Sequence, residues 1–263
     1  MNVDQFQRTR MMLGSRAMQT LAASRVAVFG VGGVGGYAVE VLARSGVGAI
    51  DLFDNDRVCV TNVNRQIIAL TTNIGRFKVD VAAERIAAIN PDCRVTVHHM
   101  FYLPANADEV DLTAYDYVVD CVDTVSAKME LIRRCTRLGI PFICSMGAAN
   151  KLDPTAFCVA DAQQSRVDPL ARVLRKMLGR EGIRHFKCVY SPEKPLIPQE
   201  EPQPFDCPYR HLCGDSADGH CGTAGKSPAS NAFVPAAAGL ILGGEVIKDL
   251  TVNKNNTPDD END

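Results

Sequence analysis

The chain alternates short apolar runs with longer segments in which apolar residues recur every three or four positions. Short apolar runs bounded by polar residues predict buried strands, and the longer periodic segments predict helices. The predicted strands are 25–30, 50–54, 94–98, 117–122 and 141–145, and the predicted helices between them are 34–45, 77–90 and 127–138. Strands that alternate with helices favour an α/β fold with a parallel, doubly wound, Rossmann-like sheet.

The regular alternation ends near residue 150, and a different pattern follows. It predicts a strand over 155–160, a basic helix over 169–179, a long Pro/Cys-rich crossover loop over 191–231 and an apolar helix over 235–250. A structureless loop of this length is typically functional or disordered. We therefore predict three parts: a core over 1–150, a substrate-binding part over 151–252, and an acidic, frayed tail over 253–263.

Composition narrows the class of protein. With 28 Lys and Arg against 31 Asp and Glu, and 46% hydrophobic residues, the chain has the composition of a folded globular protein rather than a general polyanion binder. The amino terminus lacks the pattern of a secretory signal, and the longest apolar run, 232–244, is too short for a membrane span. These features predict a cytoplasmic protein without membrane contact. The ten cysteines include no C-x-x-C pair, so we expect reduced thiols.

A glycine-rich segment lies between the first predicted strand and the first predicted helix. It fits G-x-G-x-x-G, and its glycines are Gly30, Gly32, Gly33, Gly35 and Gly36. Glycines let backbone amides approach a phosphate chain, and the amino terminus of the next helix adds partial positive charge. Asp54 ends the second predicted strand, where an acid commonly accepts hydrogen bonds from ribose hydroxyls. The pair indicates an adenine nucleotide, although a purely structural glycine turn is an alternative.

Polar and charged residues follow several predicted strands. They comprise Asp54, Asp56, Asn62, Asn64, Arg65, Gln66, Lys78, Asp120 and Asp123. The carboxyl ends of parallel strands open onto one crevice, so we expect these side chains to meet there. Arg, Lys and Mg²⁺ stabilise charge that builds on a reacting phosphorus. The set therefore favours a triphosphate with Mg²⁺ over a nicotinamide cofactor, which would leave Arg65 and Lys78 without a role.

These motifs resemble the ubiquitin-activating-like (ThiF-like) adenylyltransferase superfamily. The matching elements, in the order of the superfamily, are Phe6-Gln-Arg8, the segment 30–36, Asp54-Asn-Asp56, Asn62-Val-Asn-Arg65-Gln66, Lys78 and Asp120-Cys-Val-Asp123. The resemblance covers residues 4–145. Its specificity comes from several spaced elements that agree, since a lone glycine motif is a weak signal.

The resemblance implies ATP as cofactor and a role for each matching residue. It assigns Asp54 to the ribose, Arg65 and Lys78 to the phosphates, Asn62 to the reacting phosphate and Asp123 to Mg²⁺. The glycines of 30–36 and the remaining polar residues named above would complete the ATP site. Arg8 would reach into the site of a second subunit, which implies a homodimer; otherwise it lies on a solvated terminus. A monovalent cation is a further candidate ligand.

Within this superfamily, later segments resemble the tRNA threonylcarbamoyladenosine dehydratases. They are 153–155, 167–176, 189–191 and 231–235. This resemblance implies ATP-dependent cyclisation of the threonylcarbamoyl group beside the tRNA anticodon. The alternatives are activation of the Gly-Gly end of a sulfur-carrier protein, and a non-catalytic partner of a cysteine desulfurase or other sulfur-relay protein. Sulfur-carrier activators usually hold a structural zinc with two C-x-x-C pairs, which this chain lacks.

A basic segment over 166–187 supports a nucleic-acid substrate. Its cations are Arg166, Arg172, Arg175, Lys176, Arg180, Arg184 and Lys187, against only two acids. Clusters of this kind bind phosphate backbones with strong salt dependence, and the ring of His185 or Phe186 is a candidate to stack on an unpaired base. An exposed amphipathic helix with a solvated face is the alternative.

The crossover loop carries a second group of reactive side chains. Its members are Cys207, His211, Cys213, His220 and Cys221. Thiolate and imidazole groups are zinc ligands, but these spacings match no standard finger or ribbon. A reactive thiol and a loop without a ligand are the other interpretations.

Overall fold

The alternation predicted for the first half is present in the computed structural model, which describes residues 4–200 and 228–251. The helices are α1 Gln7–Ala23, α2 Gly35–Arg44, α3 Lys78–Ile89, α4 Val125–Leu138, α5 Pro169–Gly179 and α6 Val234–Thr251. The strands are β1 Arg25–Phe29, β2 Ala49–Phe53, β3 Arg94–His98, β4 Tyr117–Asp120, β5 Phe142–Ser145, β6 Cys158–Asp161 and β7 Lys187–Tyr190. Several short 3₁₀ turns link them.

All seven strands form one sheet, in the order β3-β2-β1-β4-β5-β7-β6. Every neighbouring pair is parallel except β6 and β7, which are antiparallel at one edge. The central strands β1 and β4 are buried along almost their whole length because helices cover both faces of a doubly wound sheet. The predicted fold class is confirmed.

The sheet is continuous across residue 150, where the sequence pattern changes. Strand β7 pairs with β5 of the first half, so both halves contribute to one sheet. The assignment of an ATP-binding core to 1–150 and a substrate-binding part to 151–252 stays a prediction. In the described parts of the chain, no helix is long and apolar enough to cross a membrane.

The sequence pattern did not predict α1 or β7. Helix α1 has a kink at Gly14, where φ is +82°, and Met11 and Met12 on it are 81% and 85% exposed. An exposed apolar pair and an internal glycine weaken the helical period on which prediction depends. Strand β7 is only four residues long, which gives periodicity little to detect.

Helix α6 lies directly against α2. A Cβ atom placed on Gly239 would lie 2.2 Å from the backbone oxygen of Val34, so only glycine permits this approach. The contact brings Pro235, near the start of α6, to the glycine-rich segment. A helix from the second half of the chain therefore forms part of the wall around the predicted nucleotide site.

Candidate active site

The glycine-rich segment forms a tight turn between β1 and α2. Gly30 has φ of +86°, and a Cβ atom on it would lie 2.8 Å from the backbone oxygen of Cys121. A side chain would be strained there and would collide with the turn that follows β4. The segment leads into the amino terminus of α2, where the positive end of the helix dipole favours a phosphate.

Residues 61–66 fold over this glycine loop. A Cβ atom on Gly33 would lie 3.6 Å from Cγ of Arg65, and one on Gly32 would lie 3.7 Å from Nε2 of Gln66. Oε1 of Gln66 is buried without a hydrogen-bond partner in the described parts of the chain. A buried acceptor without a partner beside a glycine cradle fits a site that a polar ligand completes.

Asp54 anchors the glycine loop to the end of β2. Its Oδ2 accepts a hydrogen bond from Val31 N at 2.7 Å, and its Oδ1 accepts one from Asp56 N at 2.8 Å. Burial raises the pKa of the Asp54 carboxyl, since nearby Lys78 only partly offsets the loss of water. The geometry gives Asp54 a backbone-holding task, and its contact with ribose stays a prediction.

Lys78 lies at the start of α3 and pairs with Asp56, with 2.6 Å between Nζ and Oδ2. Its side chain is only 7% exposed. Burial by itself would lower the pKa of Lys78, but the charges of Asp54, Asp56 and Asp123 outweigh burial and raise it. Lys78 therefore stays charged; it contacts Asp56 and lies within electrostatic range of two more of the predicted acids, Asp54 and Asp123.

Arg65 is held by neutral acceptors. Its Nη1 donates to the backbone oxygen of Thr61 at 2.8 Å and to Oδ1 of Asn64 at 3.0 Å. Burial lowers the pKa of Arg65, although the guanidinium remains charged at any ordinary pH. Within 4–200 and 228–251 it has no carboxylate partner, so its charge is available to an anionic ligand.

The two predicted amides next to Arg65 have local tasks. Oδ1 of Asn62 accepts a hydrogen bond from Cys59 N at 3.0 Å, which fixes the turn that carries Arg65. Nδ2 of Asn64 donates to the backbone oxygen of Ser230 at 3.2 Å. Direct contact of either amide with ATP stays a prediction.

Asp120 and Asp123 have different environments, although three residues separate them. Asp123 is exposed in the loop between β4 and α4. Asp120 is buried, with Oδ2 at 2.8 Å from Nζ of Lys128 and Oδ1 accepting from Val122 N at 3.1 Å. This geometry gives Asp120 an internal partner instead of the predicted contact with ATP. The pairing with Lys128 had no signal in the sequence analysis.

Three or more potential metal ligands do not come together anywhere in the described residues. Mg²⁺ in phosphate-transfer sites is commonly held by one or two carboxylates together with substrate phosphates, so a three-residue cluster is not required. Asp54 and Asp56 are engaged as described above, which leaves Asp123 as the exposed carboxylate. The donor set therefore fits a cation that binds together with a triphosphate.

The segment before α6 lies beside the residues that carry Arg65, since Ser230 O accepts the hydrogen bond from Asn64. Asn150 and Ala229 exchange two hydrogen bonds of 2.8 Å, one through the Asn150 backbone amide and one through its side chain. Oδ1 of Asn231 accepts from Val234 N at 2.9 Å and caps α6. The sequence analysis missed these roles, although an asparagine shortly before a proline is a helix-start signal.

The cations of the basic segment fall into two groups: those exposed to solvent and those bound to partners within the fold. Five of its cations are exposed and have no ion-pair partner among the described residues: Arg166, Arg172, Lys176, Arg180 and Arg184. Arg175 is half-buried and donates to the backbone oxygen of Ser165 at 2.8 Å. Nζ of Lys187 lies 2.8 Å from carboxylate oxygens of both Asp249 and Glu245. These two cations serve the fold, so the candidate tRNA surface reduces to the five exposed ones.

The two rings proposed for base stacking also differ. Phe186 is 6% exposed and packs against Phe142, with ring centroids 6.3 Å apart, so its stacking on a base is corrected to a core role. His185 is exposed and lies near Asp161, with 3.2 Å between Nδ1 and Oδ2. The Cys/His group of the crossover loop (Cys207, His211, Cys213, His220 and Cys221) lies outside the described residues.

Arg8 lies on the exposed side of α1, away from the glycine loop of its own chain. Phe6, two residues earlier, lies beside Gly46, which follows the carboxyl end of α2. The glycine loop is at the other end of α2, and a helix of ten residues is ~15 Å long. Arg8 therefore lies away from the nucleotide site of its own chain, and its predicted contact with a nucleotide would require a second chain.

This geometry defines the class as a nucleotide-binding α/β protein with a phosphate cradle. A model of the ThiF family matches residues 6–260, and the chain belongs to that family. The resemblance found in the sequence is confirmed.

Particular relatives cover nearly the whole chain. The tRNA threonylcarbamoyladenosine dehydratase of Bacillus subtilis (strain 168) is 44% identical over 247 residues, which are 94% of each chain. The protein of the same name from Escherichia coli (strain K12) is 43% identical over 201 residues, 73% of this chain and 75% of that one. A crystal structure of the E. coli enzyme in complex with ATP superposes with a TM-score of 0.82, at 35% identity and 96% coverage of both chains.

Proposed function

We propose that this protein is an ATP-dependent tRNA threonylcarbamoyladenosine dehydratase. The observation that carries the proposal is the meeting of the glycine loop, Arg65, Lys78 and Asp123 at one edge of the sheet. The Bacillus subtilis relative with that name matches 94% of the chain, and the structure of the E. coli relative holds ATP. The sulfur-carrier alternative is less favoured because a molybdopterin-synthase adenylyltransferase is only 31% identical over 63% of the chain, against 44% over 94% for the Bacillus subtilis dehydratase.

The reaction joins two substitutions. The threonyl carboxylate of the modified adenosine attacks the α-phosphorus of ATP, a carboxylate oxygen–phosphorus bond forms, and pyrophosphate leaves. The carbamoyl group of the same side chain then attacks the activated carbonyl carbon and loses a proton to solvent, and AMP leaves with the former carboxylate oxygen. The nucleoside thus loses the elements of water. An internal nucleophile has a high effective concentration, so the second step requires no enzyme thiol.

Each site residue has a task in this scheme. The glycine loop and the amino terminus of α2 hold the phosphate chain, and Arg65 and Lys78 neutralise charge that builds on the α-phosphorus. Asp123 would hold Mg²⁺ against the phosphates; when bound, that ion supplies further charge neutralisation for the leaving pyrophosphate. Asp56 keeps Lys78 charged and directed at the crevice.

The exposed cations of α5 and its flanks are the proposed contact with tRNA. Arg172, Lys176 and Arg180 are spaced by four residues and therefore follow one another along the helix surface. Phosphate contacts orient a nucleic acid, whereas base contacts select it. Exposed His185 stays the candidate for stacking on an anticodon-loop base.

We also propose a homodimer. Phe6, two residues before Arg8, lies beside Gly46, and α2, which is ~15 Å long, separates Gly46 from the glycine loop. The exposed Met11 and Met12 lie on the same helix as Arg8. Exposed apolar side chains of this size are typical of protein interfaces. A symmetric pairing through α1 would bury the two methionines and carry Arg8 towards the partner's site. A sulfur-relay partner and the cytoplasmic location stay predictions.

The test is mass spectrometry of nucleosides from tRNA that carries threonylcarbamoyladenosine. The tRNA is incubated with the protein and Mg²⁺, with and without ATP. We expect the nucleoside to lose the mass of one water only with ATP, and AMP to appear in equal amount. An unchanged nucleoside together with ATP–pyrophosphate exchange stimulated by a protein ending in Gly-Gly would instead support the sulfur-carrier alternative.

A further inference from the structure

A fully buried ion pair lies directly behind the glycine loop. Lys128 on α4 and Asp120 at the end of β4 have side chains 0% and 1% exposed, with 2.8 Å between Nζ and Oδ2. A buried pair of this kind is often no more stabilising than two apolar side chains of similar volume. Its presence next to the site therefore calls for a reason other than stability.

The pair holds the short turn between β4 and α4. The second oxygen of Asp120 accepts a hydrogen bond from Val122 N at 3.1 Å, and Cys121 N donates to Phe29 O at 2.8 Å. The backbone oxygen of Cys121 is the atom that a Cβ on Gly30 would approach to 2.8 Å. One turn thus forms the floor of the glycine loop and carries Asp123 at its far end.

We propose that Asp120 and Lys128 are positioning residues, which set Asp123 and the floor of the glycine loop at the places that metal-bound ATP requires. The inference rests on the proposed ATP chemistry. Neither residue touches the nucleotide. One carboxylate oxygen of Asp120 accepts from Lys128, and the other accepts a hydrogen bond from the Val122 amide in the turn.

The ionic character of the pair suits this task. Hydrogen bonds that a carboxylate accepts are roughly twice as strong as those between neutral groups. Burial by itself would lower the pKa of Lys128, but the charge of Asp120 outweighs it and raises the pKa. Lys128 therefore stays charged and presents an ammonium group to Asp120.

The test compares ATP binding with and without Mg²⁺ by calorimetry, in the absence of tRNA. The main variant is Asp120→Ala with Lys128→Met, which removes both charges and the acceptor for Val122 N. We expect its melting temperature to stay near that of the wild type, while the factor by which Mg²⁺ tightens ATP binding falls about 10-fold. If this variant does not fold, Asp120→Val with Lys128→Met replaces it, because valine fills more of the space and also lacks an acceptor.

Two comparisons separate positioning from simple stability. In an Asp123→Ala background the same double change should cost little further Mg²⁺ response, because it acts through Asp123. Asp120→Asn with Lys128→Met keeps an acceptor for Val122 N and should retain most of the response. Arg25→Met is the control. Arg25 lies at the amino end of β1, away from the glycine loop, and donates to buried Asp51, so its loss should leave ATP affinity unchanged.

Three results would overturn the proposal. They are a wild-type Mg²⁺ response in the main variant, additive losses with Asp123→Ala, and a loss in the asparagine variant as large as in the alanine variant. These results can be told apart from a failure of the proposed function. In that case the tRNA nucleoside would stay unchanged, while ATP binding and its response to Mg²⁺ would follow the expectations given above.

Discussion

The glycine-loop edge of the sheet and the outer face of α5 use charge in opposite ways. At the loop, Asp54, Asp56, Lys78 and Asp120 each have a partner within the fold, so their directions are set before any ligand arrives. On α5, Arg172 and Lys176 point to solvent without an ion-pair partner among the described residues. The charges at the glycine loop are preorganised, whereas those on α5 are exposed to solvent.

The difference matches two kinds of ligand. A reacting triphosphate benefits from charges that need no rearrangement as the reaction proceeds. A nucleic acid is bound through many separate phosphate contacts, which exposed side chains on long stems can follow. We therefore expect ATP binding to depend on the orientation of a few groups, and tRNA binding to depend on the number of cations and on salt.

The largest effect should follow from Asp123→Ala. We expect turnover to fall by about 10³-fold, because the proposed metal contact is lost where charge develops. Since Asp123 is exposed, unfolding free energy should change by no more than about 0.5 kcal/mol. Nucleoside mass spectrometry and thermal melting check the two parts, and retained turnover would remove the proposed mechanism. Lys78→Ala is a less clean test, because it removes a buried cation on which Asp54 and Asp56 depend for charge compensation.

Charge reversal on α5 should give the next largest effect. Arg172→Glu, Lys176→Glu and Arg180→Glu together should weaken tRNA binding by about 100-fold at moderate salt, and lower the salt slope by about 3. ATP affinity should stay at its wild-type value. Filter binding at several salt concentrations measures the slope. The control is Arg94→Glu, on the strand at the opposite edge of the sheet, compared with Arg172→Glu alone, so that both variants change the net charge equally. An equal loss in the two would mean that net charge, not this face, binds tRNA.

Glycine substitutions test whether close packing preorganises the glycine loop. Gly30 and Gly14 both have positive φ, but only Gly30 has an atom within 4 Å of a new Cβ. Gly14→Ala should therefore cost about 1 kcal/mol of unfolding free energy through backbone strain alone. Gly30→Ala should cost more and weaken ATP binding by about 10-fold or more, because the loop floor must move. Melting curves and calorimetry distinguish the two, and equal behaviour would argue against a tightly packed loop.

The smallest effect should come from the turn before α5. Val167 has φ of +67°, is 55% exposed, and lies between Arg166 O and Asp168 N, which form a 2.7 Å hydrogen bond. A branched side chain is strained in this conformation, whereas asparagine tolerates it. Val167→Asn should raise the unfolding free energy by about 1 kcal/mol, and the melting temperature by about 2 °C. Val173→Asn, also exposed but helical, should not raise it.

Much of the architecture could be predicted from the sequence because it depends on local patterns. Strand β3 and helix α5 have the predicted bounds, since their apolar periods and flanking turn residues are clear. The glycine motif and the acids after the strands were also found, because strand ends and spacing place them on one edge. Helix α1 was missed because its exposed methionines carry no periodic signal.

The sequence alone determined the alternation of strands and helices from β1 to β5, the nucleotide motif and the family, because each is encoded in spacing along the chain. Only the tertiary structure decided which charges are free. Lys187 and Arg175 looked equivalent to Arg172 in the sequence, but Lys187 is engaged by Asp249 on α6 and Arg175 by Ser165. The sequence predicted Asp120 as an ATP ligand, but in the structure its carboxylate pairs with Lys128. Partners of this kind come from other elements, and their proximity is set by how helices pack on the sheet rather than by any local pattern.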